Sequence, residues 1–487
     1  MSFISIYFVL FVLLINFIYY CIPLRFRHTA LAGASLVFCI IGSSAAVLWL
    51  LFSALAAYCY GIGAARKIAF FKSRSGLCLT IILIIAPLIL LKYWNFFGEL
   101  WHGSKPTVFS DMLLPVGISF YTLTLISYTV DIYKENYQPE KRFERFFLFA
   151  AFFPQILQGP IARYDKISET LFAGHKFSYR EFTFGWQMIL WGYFLKFVIA
   201  DKAGIMINTV YGDAAQLQGI YIVAAAILYS IQLYADFMGC VNIALGAAQT
   251  FGIRLQHNFR QPYFATSIRE FWRRWHITLS NWLRDYIYIP LGGSRKGIAR
   301  QCINIVVVFG ISGLWHGTGL TFICWGLLHG IYQILEILFS NIRKDKNIRK
   351  KSDTVGRGRF LGKAVKTGIT FLLVTFAWML FRAESMEHFI SLISNMFACF
   401  NPEAILDGDA YYKMGLSRIQ TLPLIFGIAC MAAADLCHEK GRSIREWVAE
   451  RPLGIRWMIY LSAIAFVLIF GTYGPAYAGN QFIYGQF

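Results

Sequence analysis

Apolar runs of roughly 20 residues, each long enough to cross the hydrocarbon core of a bilayer, recur from Met1 to Tyr484 with only short polar connections between them. A chain patterned that way has few folds open to it. Inside lipid every backbone amide and carbonyl must be satisfied by the protein itself, so continuous runs of this length read as helices. Spans are expected near residues 2–22, 30–64 as a tight pair, 77–98, 113–133, 146–162, 182–200, 216–236 and 238–253. Others follow near 302–340 as a pair, 365–382, 420–437 and 456–475. The expectation is an all-α integral membrane protein, a multi-pass bundle of about eleven or twelve helices in which some segments are re-entrant or interfacial. With 57% hydrophobic and 17% aromatic residues, no separate soluble domain has room, and residues 1–487 read as one transmembrane domain.

Charge sets an orientation. Lys and Arg number 45 against 26 Asp and Glu, and a membrane chain concentrates such an excess in its cytoplasmic loops. Membrane lipids are therefore the expected polyanionic neighbours, not nucleic acid. Arg25 and Arg27 follow the first run, and Arg66, Lys67, Lys72 and Arg74 follow the next hairpin, whose apex falls at Gly42 to Ser44. The N-terminus is then extracytoplasmic. The first run has no basic n-region and no small-residue cleavage site behind it, so it reads as a retained helix, not a signal peptide. The most basic stretch, Arg343 to Lys366, reads as a cytoplasmic loop, and the aromatic tail GNQFIYGQF as a segment packed on the bundle or at the interface.

The 10 cysteines are scattered without a C-x-x-C pair, which indicates neither a disulfide framework nor a metal site. Serine-hydrolase elbows, phosphate loops, zinc-helix motifs and dinucleotide fingerprints are missing as well.

Two histidines stand out. From Ile268 to Tyr286, the residues Ile268, Trp272, Trp275, Leu279, Trp282 and Tyr286 recur at helical spacing and make one apolar stripe. Arg269, Arg273, His276, Ser280 and Arg284 run along another face. One amphipathic helix is expected, lying in the interface or lining a cavity and ended by Pro290 and the Gly292–Gly293 pair. Around His316, the stretch from Cys302 to Leu328 holds no charged residue but is interrupted by Gly310, Gly313, Gly317 and Gly319. Glycine at that density permits close helix contact or a broken helix, which at membrane depth must face protein or an internal passage. An ionisable group there marks function by default, and a desolvated imidazole favours its uncharged form, the state a general base needs. Asp236, in YSIQLYADFMGC, is the acid most plainly in a membrane setting; it reads as a packing or capping group, with orientation of a histidine as the alternative. His329 and His257 read as structural, and the remaining histidines sit in or beside loops.

The residues alone leave open an enzyme, a proton-coupled transporter or flippase, and a membrane scaffold. The string FWRRWHITLSNWLRDYIYIPLGGSRKG followed by GLWHG resembles the membrane-bound O-acyltransferases, most closely the bacterial alginate O-acetylation type. LLPVGISFYTLTLISYTVDIY, AAFFPQILQGPIARYDKI, WGYFLKFVIADKAG, YADFMGCVNIALGAAQTFGIRLQHNFRQPYFATSI and the terminal FIYGQF extend the likeness along nearly the whole chain. The resemblance implies a helical fold around a central tunnel in a bacterial cell membrane. It also implies an acyltransferase that takes an acyl group, acetyl in the simplest case, from a cytoplasmic thioester. The acceptor it implies is a hydroxyl of an extracytoplasmic polysaccharide or of a partner protein.

By that likeness His316 corresponds to the catalytic histidine and His276 to the second characteristic one. Asp236, Asn281, Arg284 and Asp285 fall on further motif positions, and Arg269, Arg273 and Arg284 are placed to attract the donor's phosphates. Acetyl-CoA or another acyl thioester enters as a co-substrate, with no bound cofactor and no metal. Cys240 and Asn242 stand where such proteins often carry Tyr and Asp, Ser294 where they carry Asn, and Gly485 where they carry an aromatic residue. D-alanyl transfer proteins of teichoic acid synthesis are the next reading, although they usually lack the IPLGG continuation present here.

Overall fold

Among the described residues of a computed structural model, 1–42, 47–94, 117–345, 357–473 and 482–483, regular structure is helical throughout. Within them 9 helices are long and apolar enough to cross a membrane, from Leu24–Gly42 to Leu453–Phe470. The protein is a multi-pass membrane protein, as the apolar runs require. Ile6–Cys21 and Ile118–Tyr133, at 16 residues each, are shorter. Large apolar side chains lie exposed along the spanning helices, as Leu461 and Leu468 do on the last of them; in lipid such a face needs no cover. The 43–46 hairpin apex falls outside the described residues, as do much of the basic 343–366 stretch and most of the 479–487 tail, Gly485 included.

The chain divides into two compact units. The first comprises Met1–Gly192 with Cys240–His257, and the second Tyr193–Gly239 with Asn258–Ile483. In the first unit Phe8, Phe11, Phe38 and Phe153 form an aromatic cluster. Asn16 Nδ2 donates to Val12 O at 2.8 Å and to Thr250 Oγ1 at 2.9 Å, so this buried amide donor is satisfied within the unit. The expected span at 146–162 is not one helix. Phe143–Ala151 is followed by a separate short turn, Phe153–Ile156, and then by irregular chain. Pro154 cannot continue the first helix's hydrogen bonding, and this broken backbone is tolerated because the residues on it are buried in protein.

The runs at 216–236 and 238–253 are likewise not a pair. They form a single 31-residue helix, Ile220–Thr250, about 46 Å long at 1.5 Å per residue and so longer than a hydrocarbon core. Gly239 weakens helix propensity without supplying a turn, and the sequence offers no second breaker beside it.

The second unit carries the feature that places His316. Ile298–His316 and Leu320–Asp345 form a tight helical hairpin. Their backbones meet at glycines: a Cβ on Gly313 would lie 2.4 Å from Phe322 O, and one on Gly326 would lie 2.2 Å from Phe309 O. No side chain fits there, so close approach is written into these two positions. The first helix ends at His316 itself, and Gly317 leaves in extended conformation.

Candidate active site

The continuous helix expected from Ile268 to Tyr286 is replaced by two. Ile268–Arg274 stops, Trp275 is extended, His276 takes the left-handed conformation (φ 43°, ψ 52°), and Ile277–Leu283 begins again before a π-helical turn at Arg284–Tyr288. A left-handed residue other than glycine costs about 1–3 kcal/mol and persists only where its surroundings over-determine it.

Those surroundings are the preceding segment. Arg260 N donates to Arg274 O at 3.0 Å, and Ile277 N donates to Asn258 O at 2.9 Å. The fully buried Asn258 also accepts at Oδ1 from Thr278 N at 3.2 Å and from Thr278 Oγ1 at 2.6 Å. The backbone groups that the break would orphan are thus satisfied. Arg274 fastens the same corner, bonding Glu270 within its own helix and Glu439 at the end of Arg418–Glu439. At the other end Glu336 accepts from the amides of Ile268 and Arg269, an anion at a helix N-terminus.

The break separates His276 from the arginine line. Arg269, Arg273, Ser280, Asn281 and Arg284 line a cavity of about 410 Å³. His276 does not share their face; it is 0% exposed, with its ring 4.8 Å from Phe237, 5.9 Å from Trp315 and 6.4 Å from His316. Burial pushes the His276 imidazole down to about 3, against a smaller opposing effect of a backbone hydrogen bond, so it stays uncharged at neutral pH.

His316 is 2% exposed, set edge-on to Trp325 at 5.0 Å and packed on Phe381 at 5.5 Å. The cavity reaches Ser312, one turn before His316 on the same helix, and Ile277, next to His276; neither imidazole is among the residues that line it.

The other candidates resolve into distinct roles. Arg284 Nε donates to Asp285 Oδ1 at 2.7 Å, so Asp285 holds a cavity guanidinium. Asp236 is a member of a buried ion cluster: Lys196 Nζ lies 2.8 Å from Asp236 Oδ1 and 2.9 Å from Asp201 Oδ1, and Ile483 N donates to Asp236 Oδ2 at 2.7 Å. Lys196 as the counter-ion of Asp236 was missed in the sequence. A lysine inside the apolar run WGYFLKFVIADKAG was the available signal, since a cation there needs an anion. His329 accepts at Nδ1 from Trp272 Nε1 at 3.3 Å and so steadies a tryptophan of the cavity wall. Ser312 is the other omission, because its hydroxyl sits among apolar neighbours and carries no charge to draw notice.

A model of the membrane-bound O-acyltransferase family matches residues 142–365, a stretch that contains both histidines and every residue named on the cavity wall. Probable alginate O-acetylase AlgI of Azotobacter vinelandii is 32% identical over 85% of this chain and 81% of its own. The protein of the same name from Pseudomonas fluorescens is 32% identical over 72% of this chain and 65% of its own length. The peptidoglycan O-acetyltransferase of Helicobacter pylori is 34% identical over 66% of this chain and 64% of its own. The chain belongs to the membrane-bound O-acyltransferase family.

Proposed function

We propose that the protein moves an acyl group, acetyl in the simplest case, from a cytoplasmic thioester such as acetyl-CoA to a hydroxyl on the far side of a bacterial cell membrane. His316 serves as general base. The observation that carries this reading is the placement of His316: a water-shielded imidazole at the end of a helix whose previous turn opens on a cavity lined by guanidinium groups.

The acceptor oxygen attacks the thioester carbonyl carbon while His316 takes the hydroxyl proton. The C–S bond then breaks as the carbonyl re-forms, and the imidazolium returns the proton to the departing sulfur. An ester and a thiol result, and no redox partner is needed. General-base assistance of this kind contributes roughly 10²- to 10⁴-fold. His276, with its pKa near 3, is too weak a base at neutral pH and acts as an uncharged neighbour. Arg269, Arg273 and Arg284 hold donor phosphates through charge-assisted hydrogen bonds.

A polysaccharide acceptor, reached directly or through an acyl-accepting partner protein, is favoured by the polymers named in the relatives, alginate and peptidoglycan. The N-terminus is assigned to the outside by the basic residues after the first helix. Purified protein incubated with radiolabelled acetyl-CoA and candidate glycans tests the reading. Covalently labelled glycan is expected; accumulation of a substrate without covalent change points to a transporter instead, and transfer of D-alanine alone to the teichoic acid branch.

A further inference from the structure

We propose that the hydroxyl of Ser312 is a further substrate-contacting group of this site, donating a hydrogen bond to the carbonyl oxygen of the bound acyl thioester. The proposal rests on the acyl-transfer reading above and adds to it the group that receives the carbonyl.

Ser312 is 1% exposed, lines the 410 Å³ cavity, and has no hydrogen-bond partner for its Oγ among the described residues. A buried hydroxyl in a helix ordinarily returns its proton to the carbonyl one turn back. Thr80 does so to Gly76 O at 2.9 Å, Thr129 to Leu125 O at 2.8 Å, and Thr370 to Lys366 O at 2.9 Å. Ser312 does not. Ser53 and Thr122 also lack partners, but neither lines this cavity. The conjunction is what distinguishes Ser312: a donor held out of water, unspent on its own helix, in the wall of a space large enough for a ligand. Leaving such a group unmet costs stability, so a partner arriving with the ligand is the economical account.

Position supplies the chemistry. Ser312 and His316 are four residues apart on one helix, hence on the same face and about 6 Å apart along its axis. A carbonyl oxygen bonded to Ser312 keeps the attached carbon on the side from which His316 can serve an attacking hydroxyl. Beside Ser312 the wall is apolar, with Ile305, Val308 and Phe309, which suits a short acyl group. The guanidiniums are placed for phosphate. A buried neutral donor strengthens its bond as negative charge develops on the carbonyl oxygen, the direction a catalytic contact requires.

The test compares two ligands on the full-length protein in detergent or nanodiscs. One is acetyl-pantetheine; the other is S-ethyl-pantetheine, the thioether in which a methylene replaces the carbonyl. Binding is read from tryptophan fluorescence, since Trp272 lines the cavity. Ser312→Ala should weaken acetyl-pantetheine by about two- to tenfold, the worth of one neutral hydrogen bond, and leave the thioether unchanged, which also shows the variant folded. Acetyl transfer by the same variant should lose kcat more than it raises KM. Equal weakening of both ligands, or of neither, overturns the Ser312 contact and leaves the His316 mechanism standing. If wild-type protein binds neither ligand, the Ser312 contact is overturned, while the phosphate contacts of Arg269, Arg273 and Arg284, which neither ligand engages, are left standing.

Discussion

The imidazole rings of His276 and His316 lie 6.4 Å apart with their planes 63° from parallel, although one sits at a break between two short helices and the other ends a spanning helix. The meeting depends on two backbone devices: the left-handed turn at His276, pinned by Asn258 and Arg260, and the glycine-lined hairpin that carries His316. Each can be disturbed separately.

The hairpin device predicts a sharp response at Gly313. A methyl there would stand 2.4 Å from Phe322 O, so Gly313→Ala must push the two helices apart, three residues before His316. Misplacing a catalytic group by about 1 Å can cost on the order of 10²-fold in rate. Acetyl transfer should fall by that order while the protein still inserts, as judged by membrane fractionation and size-exclusion profile.

His276 predicts an acid limb in stability. Its folded pKa is near 3, below the ordinary value of about 6.5 that the unfolded chain regains. The unfolded state therefore binds the proton first as pH falls, and stability present above about pH 6.5 is lost progressively toward pH 3. Thermal unfolding followed between about pH 4 and pH 8 should show the wild-type midpoint dropping on the acid side, and His276→Gln should flatten that drop.

Lys196 predicts a larger stability effect. It sits between Asp201 at 2.9 Å and Asp236 at 2.8 Å, all three buried. Removing the cation leaves two carboxylates facing each other out of water, and Lys196→Ala should cost about 3–5 kcal/mol. Adding Asp236→Asn to that variant should restore part of the loss, because one of the uncompensated charges goes with it. Denaturation midpoints of the single and double variants measure both effects.

The cavity arginines predict a binding effect. Arg269→Ala and Arg273→Ala should each raise KM for acetyl-CoA by roughly tenfold with little change in kcat, the signature of a charged hydrogen bond made equally in ground and transition states. Arg284, whose guanidinium is already bonded to Asp285, should matter less. Raising the salt concentration should narrow the difference between wild type and variants.

Much of this was legible in the sequence because lipid leaves so few options: long apolar runs had to be helices, and the 302–340 pair appeared as a hairpin. The conversion of 268–286 from one helix into two was not legible. Its apolar spacing is nearly perfect for a continuous helix, and the force that breaks it comes from Asn258 and Arg260, outside the window that periodicity inspects. The same spacing placed His276 beside the arginines, whereas the break turns it inward toward Phe237 and His316. His316 drew notice because an ionisable group in an apolar run is conspicuous, and Arg269, Arg273 and Arg284 because they recur along the polar face of the 268–286 stripe. Ser312 was not, since a serine in a helix announces nothing until its missing hydrogen bond and the cavity beside it are seen together.

The central claim is that His316 accepts the proton of the attacking hydroxyl. Acetyl transfer from labelled acetyl-CoA, measured for wild type and His316→Ala at matched amounts of folded, membrane-inserted protein, tests it most directly. The account predicts a loss of about 10²-fold or more with donor binding retained. Transfer by His316→Ala at the wild-type rate would contradict it.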